Sequence, residues 1–309
     1  MILPRKVSVI GAPMGLGGAK TGASLGPIAI RLAGLIPRLE ALGLDVRDTG
    51  DVEAVEQLFM GHEAQPADPK AKWVEQIAVH CLDLRNRVRR ELEEGRLPVV
   101  LGGDHAVACG TIAAVSDHFA AKDERVGLIW FDAHGDMNTP DTSPSGNVHG
   151  MPLATCLGDG PSRLLELAQR RPMLDVDRCV LVAVHELDQR ERDKIREHGI
   201  RVYTMREVDM LGMQRVMEEA IELACDGTAG VHVSFDVDGC DESIAPGTGT
   251  IVPGGANFRE AHLVMENVAD TGQLVSLEVV EVNPLLDIKN RTAELAVGLI
   301  ESALGKLVL

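Results

Sequence analysis

No apolar run in this chain reaches the ~18 uncharged residues that a helix needs to cross a bilayer, so no membrane span is predicted. Basic residues are in deficit: 30 Lys and Arg against 47 Asp and Glu leave a formal charge of −17. That balance repels nucleic acid and anionic membrane surfaces, and no basic patch offsets it. Arg85, Arg87, Arg89 and Arg90 read as the solvated face of one helix that also carries Glu91, Glu93 and Glu94. Paired cysteine spacing is missing too. Cys81, Cys109, Cys156, Cys179, Cys225 and Cys240 are scattered, which argues against a disulfide framework or zinc knuckle and suits reduced, mostly buried thiols. The chain enters an apolar strand at residues 7–10 without a secretion-signal pattern, so a cytoplasmic location is expected. Internal repeats and shifts of composition are absent, and 45% hydrophobic residues supply a sizeable core. One domain spanning residues 1–309 is the expectation.

The chain does carry short apolar runs that stop abruptly at metal-capable side chains. Residues 126–131 read as a strand buried on both faces, ending in Asp132-Ala133-His134-Gly135-Asp136. In α/β proteins ligands bind beyond the carboxyl ends of parallel strands, so carboxylates and an imidazole crowded there form a candidate site. Gly135 is expected to permit an otherwise strained loop. A second run, 97–101, turns through Gly102-Gly103 to Asp104-His105; the plainer reading of that His is a helix cap. A third, 230–235, delivers Asp236-Val237-Asp238. Alternation along an extended segment would put both aspartates on one side, with Phe235 and Val237 pointing away.

Other segments frame these ends. The glycine-rich 11–18 stretch lacks a clean Gly-x-Gly-x-x-Gly leading into a helix, so it reads as a loop packing near the site rather than a phosphate cradle. Leu32, Leu35, Ile36 and Leu39 have the spacing of a core-facing helix kinked or restarted at Pro37 and ended by Gly43. A strand starts over 44–46, residues 49–69 form a surface excursion, and a long helix is expected over 70–94. Further strands are predicted over 179–183, 200–203 and 274–280, with helices over 213–225 and about 287–304. Residues 137–152 are rich in small polar donors, and as a sequence they fit a plain surface loop equally well. Asp188 and Glu191 follow a strand, where they also fit the acidic first turn of a helix.

Six candidate ligands, His105, Asp132, His134, Asp136, Asp236 and Asp238, offer oxygen and nitrogen but no thiolate. Such a set favours Mn²⁺ over Zn²⁺ or Fe²⁺, and two ions ~3.5–4 Å apart would ionise a shared water for attack on an electrophilic carbon.

Gly102-Gly103-Asp104-His105, Asp132 to Asp136, Ser145-Gly-Asn-Val-His-Gly-Met-Pro152, Ser234-Phe-Asp-Val-Asp238 and Glu281-Val-Asn-Pro284 together resemble the ureohydrolase family, the dimanganese amidinohydrolases, and within it the arginase branch. The likeness runs in the family's order along nearly the whole chain. It implies an α/β fold: one three-layer α-β-α domain around a central, mostly parallel eight-stranded sheet. It implies two Mn²⁺ per subunit, one held by His105, Asp132, Asp136 and Asp236, the other by Asp132, His134, Asp236 and Asp238, with Asp132 and Asp236 bridging. The implied reaction is hydrolysis of the L-arginine guanidinium to L-ornithine and urea. Asp136 and His149 would be catalytic, His149 as proton shuttle with an ordinary pKa near ~6.5. Glu281 would hold the guanidinium, with Thr250 nearby. Asn138, Ser143, Ser145 and Asn147 would read the α-carboxylate, and Asp188 and Glu191 the α-amino group. A homotrimer or homohexamer is implied as well.

Three positions depart from the family pattern: Ala106 where Ser is usual, Glu278 in place of Asp, and His185-Glu186 in place of Arg-Asp. None removes a ligand, the shuttle or the guanidinium carboxylate. The runner-up is a related amidinohydrolase acting on agmatine or another guanidino acid. A one-metal zinc deacetylase and a non-catalytic scaffold are more distant readings, the last leaving six converging ligands without a reason.

Overall fold

The computed structural model describes residues 6–56 and 64–307. Ten strands follow in chain order: β1 (Lys6–Ala12), β2 (Met14–Gly15), β3 (Asp45–Asp51), β4 (Val55–Glu56), β5 (Leu97–Gly102), β6 (Gly127–Phe131), β7 (Cys179–Val184), β8 (Arg201–Thr204), β9 (Val231–Asp236) and β10 (Leu274–Val280). Eight form one sheet in the order β3-β1-β5-β10-β9-β6-β7-β8, and every pairing in it is parallel. The short β2 and β4 pair separately. Strands β5, β6, β7 and β9 are buried throughout because each side chain meets a helical layer, the reason they read as largely apolar runs.

Alternate residues feed two cores, one on each side of the sheet. Ile129, Phe131, Val233 and Phe235 face the layer of helices α1 (Gly26–Leu32), α2 (Leu35–Ala41), α8 (Met205–Leu211), α9 (Met213–Cys225), α10 (Phe258–Thr271) and α11 (Arg291–Ala303). Phe131 and Phe235 stack there at 4.2 Å. Leu128, Trp130 and Leu181 face α3 (Val74–Glu93), α4 (Ala108–Ala120), α5 (Pro152–Cys156), α6 (Ser162–Leu165) and α7 (Gln189–His198). Each large apolar side chain so buried contributes about 1.5–3 kcal/mol relative to exposure. No helix among the described residues is long and apolar enough to cross a membrane. All six cysteines are free, and only Cys225 is not fully buried.

Several sequence expectations are corrected. Leu32 is 78% exposed, not core-facing, because the helix breaks at Gly34 (φ 89) and restarts as α2 in a new phase that buries Leu35 and Leu39. Pro37 falls inside α2, in its first turn, where a missing N–H leaves no bond unmade. Arg85 and Glu91 belong to the buried face of α3: Arg85 Nη2 pairs with Asp117 at 2.7 Å, and Ser8 Oγ donates to Glu91 at 2.5 Å. The helix over 70–94 begins only at Val74, and the last helix begins at Arg291, preceded by Asp287, which accepts from the Thr292 N–H. The strand expected from 44–46 runs on to Asp51, and residues 57–63 of the 49–69 excursion lie outside the described residues.

Candidate metal centre and substrate cleft

Four neighbouring strands, β5, β10, β9 and β6, bring their carboxyl ends together at the middle of the sheet. After β5, Asp104 caps a short 3-10 turn, its Oδ1 accepting from the Ala106 N–H at 3.1 Å. Its Oδ2 accepts from Gly17 N at 2.7 Å, which fastens the glycine-rich loop beside the site, as the sequence suggested. Burial, and then the charge of Glu281, push the Asp104 carboxyl up to about 6.

The His105 ring is held from three sides. It stacks on Trp130 at 4.1 Å, its backbone N–H donates to Glu281 Oε1 at 2.9 Å, and its Nε2 lies 2.8 Å from Ser234 Oγ. Because the Ser234 hydroxyl donates to Glu278 Oε1 at 2.8 Å, it must accept from His105, so Nε2 carries the hydrogen and Nδ1 presents its lone pair. That Nδ1 faces Asp132 Oδ2, Asp136 Oδ2 and Asp236 Oδ2 at 3.1, 3.0 and 3.0 Å. Next to it, His134 Nδ1 lies 3.3 Å from Asp132 Oδ1 and 3.2 Å from Asp238 Oδ2.

Asp132 is thus shared by two groups of potential ligands, His105 with Asp132 and Asp136, and Asp132 with His134 and Asp238, the atoms of each lying within 4.8 Å of one another. Asp236 joins the first group through Oδ2 and accepts from the Asp238 N–H through Oδ1 at 2.8 Å. Residues 237–239 form a 3-10 turn rather than an extended segment, yet both aspartates reach the centre. Phe235 and Val237 point into the core, as expected.

This donor set fits divalent cations. His105 Nδ1 and Asp136 Oδ2 are buried and have no hydrogen-bond partner, an arrangement that is unfavourable unless a cation sits among them. Burial opposes a charge on either imidazole, but the surrounding aspartates outweigh it and drive His105 and His134 well above the ordinary range. Burial, and then the charge of Asp132, raise Asp238 to about 6. Hard oxygen donors with two imidazoles and no thiolate suit Mn²⁺, Zn²⁺ or Fe²⁺.

The strain expected near Gly135 falls one residue later. Asp136 itself is left-handed (φ 50), while a Cβ at Gly135 would lie 2.9 Å from Ile195 Cδ1 and 3.1 Å from Glu191 Oε1. Glu281, at the end of β10, is left-handed too (φ 64). Two non-glycine residues in this sparsely populated region at one centre are a mark of functional constraint.

Over the centre lies a cleft of about 280 Å³. His105, His134, Asp136, Asp236 and Asp238 form its floor, while Asp132 and Glu281 are buried behind it. Asn138, Ser143, Ser145, Asn147, His149, Asp188, Glu191 and Thr250 of the expected set all line it, and Glu186 joins them. His185 turns away, its ring nitrogens meeting the Ala183 and Val252 carbonyls. A larger hollow of about 460 Å³ near Trp73 and Arg163 contains none of the six ligand candidates.

His149 Nδ1 lies 3.1 Å from Glu281 Oε1, the oxygen that also receives the His105 N–H. Burial lowers the His149 pKa, but the hydrogen bond to Glu281 and its charge prevail and raise it to about 9. Asn138 is more engaged than the sequence suggested: its Nδ2 donates to Asp188 Oδ2 at 2.8 Å, and its Oδ1 accepts from Thr142 at 2.9 Å. Asp188 also caps α7, its Oδ1 accepting from the Arg190 and Glu191 N–H groups, so the helix-start and cleft readings both hold. Glu191 accepts from the Met137 N–H at 3.1 Å, and burial, then the charge of Asp136, push it up to about 8.

Glu278 and His232 escaped the sequence reading as parts of one network. Glu278 is fully buried, accepts from Ser234, and lies 3.4 Å from His232 Nε2, whose Nδ1 meets Ser276 Oγ at 2.7 Å. Only the alternation of polar residues inside two apolar strands signals it. Ala106 is fully buried against the apolar layer of α3 and α4.

Fold and site together define a class: an α/β protein whose parallel sheet gathers carboxylates and imidazoles for metal-dependent hydrolysis. The family model described as the arginase family matches residues 5–305. An arginase from Bacillus caldovelox is 47% identical over 304 residues, covering 98% of this chain and 99% of that protein. Its native structure at pH 5.6 superposes with a TM-score of 0.94 at 46% identity, covering 99% of this chain and all of the other. The structure of Entamoeba histolytica arginase in complex with L-ornithine has a TM-score of 0.88 at 31% identity, with 99% and 100% coverage. The chain belongs to the arginase family, and it is a hydrolase acting on a guanidino group.

Proposed function

We propose that the protein hydrolyses L-arginine to L-ornithine and urea with two Mn²⁺ per subunit, as one catalytic unit over its whole length. The observation that carries this is the shared Asp132: two His–Asp ligand groups meet on it directly beside the His149–Glu281 pair. His105, Asp132, Asp136 and Asp236 would hold one ion, and Asp132, His134, Asp236 and Asp238 the other. When bound, such ions acidify water and polarise the carbon–nitrogen centre.

The protein's own groups divide the remaining work. Glu281 Oε1 accepts from His149 and from the His105 N–H, while Oε2 takes part in neither bond and is available to a guanidinium N–H, fixing the reacting carbon over the floor. His149 donates through Nδ1 to Glu281, whose carboxylate favours the protonated imidazole, and keeps Nε2 for proton transfer to the departing amine nitrogen. Thr250 lines the same cleft. Asn138, Ser143, Ser145 and Asn147 donate to the α-carboxylate, and Asp188 and Glu191 accept from the α-amino group. We place the protein in the cytoplasm as a homotrimer or homohexamer, to be read from light scattering on the purified protein. The test of function is urea release by Mn²⁺-loaded protein across L-arginine, agmatine and 4-guanidinobutyrate. Release from arginine well above the others is expected; a preference for either competitor would replace the substrate while keeping the reaction class.

A further inference from the structure

Among the described residues the cleft is lined by carboxylates but by no lysine or arginine. Asp136, Glu186, Asp188 and Asp238 all line it, in a chain of formal charge −17. Carboxylates suit a guanidinium and an α-amino group but oppose an α-carboxylate, and the side chains placed to receive that carboxylate are uncharged. A cation within reach would correct the field at that end.

Such a cation comes from an element outside the cleft. Just before α3, Lys72 runs against the substrate loop: its backbone N–H donates to the Gly146 carbonyl at 2.9 Å, and its Nζ donates to Asn147 Oδ1 at 3.3 Å. The two segments touch closely. Gly146 is left-handed (φ 71), and a Cβ there would lie 2.0 Å from the Pro69 carbonyl oxygen, so only glycine permits the approach. Lys70 reinforces the contact through Asp141 at 2.8 Å.

An ammonium has donors only, so it can satisfy Asn147 only through Oδ1. That fixes the otherwise ambiguous amide and leaves Nδ2 as the group offered elsewhere, on a residue that lines the cleft. We infer that Lys72 is a specificity-determining positioning residue: it orients the Asn147 amide as a donor and supplies the positive charge behind it, favouring substrates that end in an α-carboxylate. This rests on the proposed arginine hydrolysis and deepens it. Neither motif spacing nor ligand geometry points to Lys72, which lies 75 residues from its partner.

The experiment compares wild type, Lys72→Met and Lys72→Arg, all Mn²⁺-loaded and of matched melting temperature, with arginine as substrate and agmatine as alternative substrate or inhibitor. Lys72→Met should raise KM for arginine about 5- to 10-fold with kcat within about twofold, since the Asn147 amide loses its orientation and the charge behind it, and the contact it offers the α-carboxylate is made alike in ground and transition states. The constant for agmatine, which has no carboxylate, should be unchanged. Lys72→Arg keeps charge and donors and should restore most of the loss. An unchanged KM in Lys72→Met, or equal weakening of arginine and agmatine, would overturn the inference while leaving arginine hydrolysis intact. A wild-type protein inert toward arginine would overturn both.

Discussion

Asp132 is 1% exposed and surrounded by two histidines, the Trp130 indole N–H and the ends of rigid strands; Ser145, on the loop above, is exposed, and its Oγ accepts from the Asn147 N–H two residues on. The floor of the cleft is built from strand ends that the sheet register fixes. The rim is built from loops whose side chains are tied to one another, Asn138 to Asp188 and Asn147 to Lys72. Reaction chemistry needs positions held to fractions of an ångström, and buried strand ends supply that. Recognition of a substrate tail tolerates, and is adjusted by, exchangeable loop contacts.

The contrast is broken most severely at the floor. Asp132→Ala removes the residue common to both ligand groups and should lower ion affinity by more than the ~10- to 100-fold typical of outer-shell changes, abolishing urea release at ordinary Mn²⁺. Titration of metal into chelator-stripped protein checks this, and wild-type affinity would contradict it. At the boundary of floor and rim, His149→Asn should lower kcat by ~10²–10⁴ with full metal occupancy, because it removes a proton donor and not a ligand. Stoichiometric loss of metal would make it a ligand instead. Glu278→Gln should weaken ion binding ~10- to 100-fold without touching the cleft, since an amide allows the Ser234 hydroxyl to turn and His105 to take its other tautomer. Equal affinity of the mutant would leave Glu278 with no part in ligation.

Smaller effects belong to the rim. Asn138→Ala with Ser145→Ala should shrink an arginine-over-agmatine preference of at least ~10-fold in kcat/KM, mainly through arginine's KM. Asp188→Ala is expected to reduce that preference as well, because it releases the Asn138 amide and uncaps α7. Glu191 tests stability. With its pKa near 8, the folded protein keeps a proton that the unfolded chain loses near 4.5, so this group withdraws stability as pH rises through that window. Glu191→Gln should therefore be favoured over wild type by on the order of 2 kcal/mol more at pH 8 than at pH 6, read from denaturant midpoints of the metal-free proteins.

The same contrast governs what could be read in advance. Asp132 was legible because β6 is apolar throughout and is followed at once by a carboxylate, and His105 because the apolar β5 turns through glycines into Asp104-His105. Asp236 ends a strand that is apolar apart from His232 and Ser234, and the limits of β10 were legible despite the buried Ser276 and Glu278 within it. The rim was legible only through family resemblance, since the Asn138–Asp188 bond spans 50 residues and leaves no local pattern. Long-range pairing also hid the burial of Arg85 and Glu91, whose partners lie in α4 and β1. The left-handed backbones of Asp136 and Glu281 had no sequence signal, because neither residue is a glycine. Leu32 misled because periodicity assumes one unbroken helix, and the break at Gly34 shifts its phase.

The strand order carries a consequence for biosynthesis. β9 and β10 are last in the chain but fill the middle of the sheet, between β5 and β6. A nascent chain that has emerged only through β8 therefore holds two half-sheets, one of β3, β1 and β5 and one of β6, β7 and β8, with unpaired inner edges and no backbone hydrogen bonds between them. Asp236, Asp238 and Glu281 arrive with the closing strands, so structural completion and acquisition of the full metal centre are the same event. Pairings of such sequence separation make for slow folding and leave exposed edges while translation continues. Ribosome-stalled chains ending before residue 231 should accordingly be protease-sensitive along β5 and β6, and release of the whole chain should protect both strands together.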